Sequence, residues 1–454
     1  MKRTIGLVGG VLALAVASCS SSGVAERSRP SSTDVAPASA PVTAVETTVA
    51  PIPVTTVDPL VTARAALQAV VDALPERTCL LVRRAGATVF EARPDLALTP
   101  ASNAKVLTAL AVLRNLEPGS RLRTTIKAST RPVAGVLTGD LYVIGGGDPL
   151  LATADYAATF ERAPEPRTSM EQLADLVVAS GLKEIRGSVV GDESRYDKVR
   201  YVPTWPARYA SDRETGPLSA LTVNDGFSGY KDPTKIVAVA NPAGYAASVL
   251  TDLLKQRGVA ISGGPKSAVT PPSAVDVTAL DSAPLRDVVG EALRESDNTT
   301  AELLLKELGR SVGTAPTTEA GAAVVVATME RLGIAMTGTR VVDGSGLDPK
   351  AALTCRTLTG ALEAAGYGSD LSNGLALAGQ SGTLKKRFAD TPLKDRFVAK
   401  TGSINGVVTL SGFVPVDKGE PFVFSFMVNS TNPDASLVAY PAWTALIDTL
   451  LAIH

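Results

Sequence analysis

The chain has 454 residues, 45% hydrophobic and 20% charged, a balance that builds folded domains and, at this length, argues for more than one. Lys and Arg number 44 against 45 Asp and Glu, and aromatic residues are 4%, so neither the basic footprint nor the stacking platform of a nucleic-acid binder is present. The one histidine, His454, is the last residue, which removes the usual base of a serine nucleophile from the body of the chain.

The first 19 residues read as an export signal. Met1-Lys2-Arg3 is basic, Ile5 to Ala17 is apolar but short for a membrane span, and the run ends in Leu14-Ala-Val-Ala-Ser-Cys19. That ending resembles a bacterial lipobox, with cleavage before Cys19 and a lipid on its thiol as a membrane anchor. Plain cleavage near Ala17 is the other reading, and both export the chain to the cell envelope. Residues 20–59, with prolines at 30, 37, 41, 51, 53 and 59, form a Ser/Thr/Pro-rich tether. A helix is predicted from Leu60 to Leu74, with Leu60, Leu67, Val70, Val71 and Leu74 on one side. A hairpin follows, Cys79 to Arg84 and Thr88 to Ala92, and Pro100-Ala101-Ser102 then opens a helix that stops before Pro118-Gly119.

Between 121 and 284 the texture changes to short strands and turns, such as Gly139 to Ile144 and Gly187 to Val190. Helical periodicity returns at Leu285 to Arg294, Thr300 to Gly309 and Glu319 to Leu332. Strands at Phe397 to Thr401, Val407 to Phe413 and Phe422 to Val428 precede a last helix from Leu437 to Leu451, and Asn405-Gly406 predicts a type I′ turn. Residues 60–120 and 285–454 therefore read as one discontinuous domain, interrupted by an insertion of 121–284. Cys79 and Cys355 are the cysteines of the folded part. They are a candidate disulfide in an oxidising compartment, with two buried thiols as the alternative.

Three short patterns carry chemistry. In Ser102-Asn-Ala-Lys105 the hydroxyl and the amine lie three residues apart, on one face of a helix, so the amine reaches the hydroxyl and serves as its base. Ser180 to Lys183 and Ser228 to Lys231 repeat the spacing, but with a glycine directly after the serine, which suits a helix end or loop. Ser296-Asp-Asn298 falls between two helices. As chemistry, Ser296 relays a proton between Lys105 and a leaving group while Asn298 holds an acyl amide and the lysine; as structure, the tripeptide caps a helix. Lys400-Thr401-Gly402-Ser403 ends a strand. An extended peptide would pair with that edge, Lys400 and Thr401 would meet a carboxylate, and Gly402 would let the substrate approach. Backbone N–H groups of Ser102 and Ser403 would form an oxyanion hole. A turn with an exposed lysine is the plainer reading. Each pattern alone fits a structural role; the three together, in this order, fit acyl transfer.

They also carry a resemblance. With Leu141-Tyr-Val-Ile-Gly-Gly-Gly-Asp-Pro149, Ser219-Ala-Leu-Thr-Val-Asn224, Asp343-Gly-Ser-Gly-Leu347, Gly382-Thr-Leu384 and Arg387-Phe388, the chain resembles penicillin-binding proteins and serine β-lactamases. Within them it is similar to the low-molecular-mass class C D-alanyl-D-alanine carboxypeptidase/endopeptidases, from about residue 60 to the C-terminus. The resemblance implies an α+β fold, an αβα sandwich about an antiparallel sheet with strand-rich material inserted between the first two motifs. It implies that Ser102 attacks the D-Ala-D-Ala carbonyl of a peptidoglycan stem peptide, that Lys105 takes its proton and that Ser296 helps protonate the departing D-alanine. Lys400 and Thr401 would bind the terminal carboxylate, water would release the acyl-enzyme, and β-lactams would acylate the same serine. No metal or organic cofactor is implied. Asp192 and Tyr196, in Gly191-Asp-Glu-Ser-Arg-Tyr196, resemble the insertion's share of a substrate side-chain pocket. Asp348-Pro349 departs from the family's common Ser-Arg, an arginine associated with a diaminopimelate-type side chain. The competing readings are a serine β-lactamase and a non-catalytic wall-peptide binding protein.

Overall fold

Nearly continuous runs of Val, Leu, Phe and Met at 78–84, 407–414 and 422–429 are the pattern of strands covered on both faces, and that is how they are used. In a computed structural model describing residues 58–160 and 166–453, a six-stranded antiparallel sheet has the order Ala376–Leu377, Val398–Ile404, Val407–Val414, Phe422–Asn429, Thr78–Arg84, Ala87–Ala92. The candidate signal, Cys19, the tether before residue 58 and His454 lie outside the described residues. Alternate side chains divide between two cores. Phe422, Phe424, Phe426 and Val428 meet helices Pro59–Asp72 and Ser436–Leu451 through Leu67, Val71, Trp443 and Leu446. Val423 and Met427 face the other way, onto helices Ala104–Asn115, Leu285–Arg294, Asn298–Ser311, Thr318–Arg331 and Cys355–Ala365. The fold is the α+β sandwich expected. Cys79, on a central strand, is disulfide-bonded to Cys355 at the start of a helix, joining sheet and helical layer across a sequence separation of 276.

Residues 121–284 build a second sheet, in the order Lys266–Ser267, Val189–Asp192, Leu141–Ile144, Arg121–Ala128, Val275–Pro284. The outermost strands of this segment in sequence pair with each other, Arg121 against Pro284 and Ala128 against Val275, so the chain leaves and re-enters the helical layer at one place. Leu285 N–H donates to Ser120 O at 2.8 Å there. Helices Met170–Ala179 and Pro242–Gln256 cover this sheet with Leu173, Val177, Leu250 and Leu254. A smaller apolar cluster, Tyr196, Val202, Trp205, Tyr209 and Leu218, packs the segment onto Leu303 and Leu347.

One turn differs from expectation. Asn405-Gly406 does join two paired strands, but only Gly406 has a positive φ, 71°, whereas a type I′ turn needs it at both central residues. Gly406 instead donates to Pro433 O at 2.8 Å and accepts from Ser430 N at 2.7 Å, so contacts outside the hairpin set its shape.

Candidate active site

Ser102 sits in a 3₁₀ turn, Ala101–Asn103, that runs directly into the Ala104–Asn115 helix. The turn is strained and heavily braced. Ala101 holds φ at 46°, and a Cβ on Gly346 would lie 1.9 Å from its carbonyl oxygen, so the neighbouring loop reaches it only through a glycine. Asn103 donates to Thr409 Oγ1, which itself donates to Pro100 O at 3.0 Å, pinning the turn to the Val407–Val414 strand.

Three residues on, Lys105 is buried with its Nζ 3.0 Å from Ser102 Oγ, 2.7 Å from Asn298 Oδ1 and 2.8 Å from Ser345 O. The last two atoms can only accept. A neutral amine has two N–H bonds, so satisfying both acceptors leaves its lone pair for the Ser102 proton. Burial lowers the Lys105 pKa to about 8, while the charges of Glu302, Asp343, Asp297 and Glu214 pull it back up. The free base is therefore a minority at pH 7, far larger than for an ordinary lysine, and reaches half at about pH 8.

The second half of the site is built around Lys400, also fully buried, whose Nζ donates to Ser296 Oγ and to Thr401 O, each at 2.8 Å. Burial first, and then repulsion from Lys105, push its pKa well below the lysine range, with Glu295 opposing. Ser296 is held at φ 61° between the Leu285–Arg294 and Asn298–Ser311 helices, an uncommon conformation for serine. Asp297 caps the second helix by accepting from Thr300 N at 2.7 Å. The tripeptide therefore caps a helix, as its structural reading expected, and also sets Ser296 beside Lys400 and Asn298 beside Lys105. Asn298 donates to Glu214 O at 2.7 Å, which fixes its amide so that the oxygen faces Lys105.

The five side chains Ser102, Lys105, Ser296, Asn298 and Lys400 thus converge, with four corrections of detail. The hydrogen bond of Ser296 runs to Lys400 rather than Lys105, because Asn298 and Ser345 occupy the Lys105 amine. Gly402 makes room for the protein itself, since a Cβ there would meet Thr409 Oγ1 at 2.3 Å and Ser102 N at 2.9 Å. Asp192 ends its strand by accepting from Ser194 N at 2.9 Å and Thr270 N at 2.6 Å, and those hydrogen bonds hold its pKa down against burial. Tyr196 is buried, donating to Glu307 Oε2 at 2.8 Å. Asp192 is thus tied within residues 121–284, while Tyr196 joins that segment to the Asn298–Ser311 helix. Thr401 is buried and donates to Thr383 Oγ1 at 2.7 Å, while Ser403 is exposed. Past Ala399 no further strand among the described residues pairs with Val398–Ile404 on the side away from Val407–Val414, so Lys400 to Ile404 form an edge of the sheet.

Sequence reading missed four participants: the carbonyls of Ser345 and Glu214, the carboxyl of Glu302 and the hydroxyl of Thr383. Carbonyls leave no side-chain signature. Thr383 stands in the Gly382-Thr-Leu384 motif, to which no role was attached, and Glu302, one turn beyond Asn298 on the same helix face, has a readable spacing.

The chain is 28% identical to carboxypeptidase DacB of Mycolicibacterium smegmatis over 361 residues, 77% of this chain and 75% of that one. It is 26% identical to a D-alanyl-D-alanine carboxypeptidase of an Actinomadura species over 422 residues, 76% of each. Among solved structures, penicillin binding protein 4 (dacB) of Haemophilus influenzae shares the fold at TM-score 0.69 and 21% identity, covering 84% of this chain and 99% of that one. With residues 65–232 and 228–445 matching its family model, this chain belongs to the D-Ala-D-Ala carboxypeptidase 3 (S13) family of serine peptidases.

Proposed function

We propose that this enzyme works through an acyl-enzyme on Ser102, with Lys105 as general base. The observation that carries the assignment is the Lys105 amine, 3.0 Å from Ser102 Oγ with its N–H bonds drawn off by Asn298 and Ser345. A stem peptide pairs along the edge of Lys400 to Ile404, which presents the D-Ala-D-Ala carbonyl to Ser102. Backbone N–H groups of Ser102 and Ser403 receive the developing oxyanion. Ser102 Oγ bonds the carbonyl carbon as its proton passes to Lys105; the C–N bond then breaks, the Ser296 hydroxyl, held by Lys400, gives its proton to the amine of departing D-alanine, and the proton taken up by Lys105 restores that hydroxyl. Thr401 and Thr383 offer hydroxyls to the terminal carboxylate, and water then displaces the acyl group from Ser102.

The same serine reacts with β-lactams, whose ring carbonyl presents the same target. Endopeptidase cleavage of cross-links uses the same step with a longer leaving amine; a peptidoglycan endopeptidase of Bdellovibrio bacteriovorus shares the fold at TM-score 0.51 and 20% identity. Export is proposed from the basic, apolar and Cys19-containing start of the chain, with lipidation at Cys19 as the anchor.

The test is release of D-alanine from a peptide ending in D-Ala-D-Ala. The wild-type protein is expected to turn over and Ser102→Ala to be inert; equal turnover by both would overturn the assignment. A penicilloyl adduct that persists, rather than clearing within seconds, separates this enzyme from a β-lactamase.

A further inference from the structure

We infer that Glu302 is a positioning residue, aiming the Lys105 lone pair at Ser102 through the Gly344–Ser345 peptide. The inference rests on the assignment of Ser102 and Lys105 made above. Glu302 lies one turn beyond Asn298 on the Asn298–Ser311 helix and is wholly buried. Its Oε1 accepts from Gly344 N at 3.0 Å and from Ser345 N at 2.7 Å. The carbonyl of that same Ser345 receives the Lys105 N–H at 2.8 Å. Both acceptors that orient the amine are therefore set by a single helical turn: Asn298 directly, and Glu302 through one residue of the 343–347 loop.

The loop has little other freedom. Thr108, one turn after Lys105, donates to Gly344 O at 2.9 Å, and a Cβ on Gly344 would lie 2.6 Å from Ala301 O, so the loop is pressed onto the Glu302 helix. On its outer side Asp343 accepts from Trp205 Nε1 at 2.8 Å, Gly346 N at 2.8 Å and Asp348 N at 2.7 Å. Without Glu302, two buried N–H groups beside the base would lose their acceptor, and the loop would shift to satisfy them. The lone pair of Lys105 would turn with Ser345.

Reach, not charge, is what this role needs. Glu302 Oε2 has no hydrogen-bond partner among the described residues, and burial first, then the Asp343 charge, push the Glu302 carboxyl well above the usual carboxylate range. Glu302→Gln keeps the length and the accepting oxygen while discarding the charge. Glu302→Asp keeps the charge but is one methylene short of the two N–H groups.

The experiment measures acylation by a fluorescent penicillin across concentration, giving a saturating rate and a half-saturating concentration, with melting temperatures alongside. Glu302→Gln is expected to keep the saturating rate within about threefold, and Glu302→Asp to lose about 30-fold or more with a near-constant half-saturating concentration, as expected for a base turned from its target. The reverse order would make charge the operative property and overturn the inference. So would equal rates in all three proteins, or losses in both variants that simply track melting temperature. No acylation of the wild type would instead overturn the Ser102–Lys105 assignment itself, so the two failures are told apart.

Discussion

The two buried lysines of the site sit in opposite electrostatic settings. Lys105 is ringed by acidic groups, Glu302, Asp343, Asp297 and Glu214, which offset part of its desolvation and leave it at about 8. Lys400, lowered first by burial, feels Lys105 itself as a repulsive neighbour with Glu295 as the acidic counterweight, and its pKa falls well below the usual lysine range. The difference teaches a division of labour. A base that must gain and lose a proton each cycle needs a pKa near the working pH, whereas a lysine that holds Ser296 Oγ and a backbone carbonyl needs only its N–H donors.

The comparison breaks first at Lys105. Lys105→Met should lower acylation by a β-lactam by about a thousandfold or more, the scale of losing a positioned general base, in single-turnover kinetics. If Lys400 were the base, Lys105→Met would cost little. Removing the Ser296 hydroxyl should do less: Ser296→Ala is expected to slow peptide turnover about a hundredfold by taking the donor away from the leaving amine, read as kcat at saturating substrate. The pH profile sharpens the contrast. The unprotonated Lys105 is the competent form, so wild-type acylation should rise with pH, reach half its plateau at about 8 and level off above. A profile flat from pH 6 to 9 would remove Lys105 from the titrating role.

Two smaller effects serve as controls away from both lysines. Replacing Cys79 and Cys355 together by Ala should cost about 2–5 kcal/mol in denaturant unfolding, through lost cross-linking of sheet and helical layer, while acylation per folded molecule stays near wild type. Asp192→Asn should leave KM for the peptide within about twofold, because its oxygens are spent on Ser194 N and Thr270 N. A tenfold rise in KM would return Asp192 to the substrate pocket.

What the sequence made legible follows from what has a pattern. The helices at 285–294 and 318–331 and the three long strands near the C-terminus were readable because apolar periodicity marks a buried face. Ser102, Lys105, Ser296, Asn298 and Lys400 were readable because functional side chains at fixed spacing form motifs. The 3₁₀ entry to the Ser102 helix was not, since Ala101 and Gly346 set it by mutual close approach between distant segments. Nor was the bracing by Glu214 and Ser345, where the interacting atom is a backbone carbonyl that any residue supplies. The partners of Asp192 and Tyr196 were not legible either, because local context near a strand end does not show that Thr270 and Glu307 arrive from far along the chain.

The most direct test of the central claim is peptide mapping by mass spectrometry after brief exposure of the folded protein to penicillin across pH 6 to 9. The account predicts a single penicilloyl adduct on the peptide containing Ser102, accumulating faster as pH rises through about 8 and absent from Ser102→Ala. An adduct on another serine, or none in a protein that is folded by circular dichroism, would contradict it.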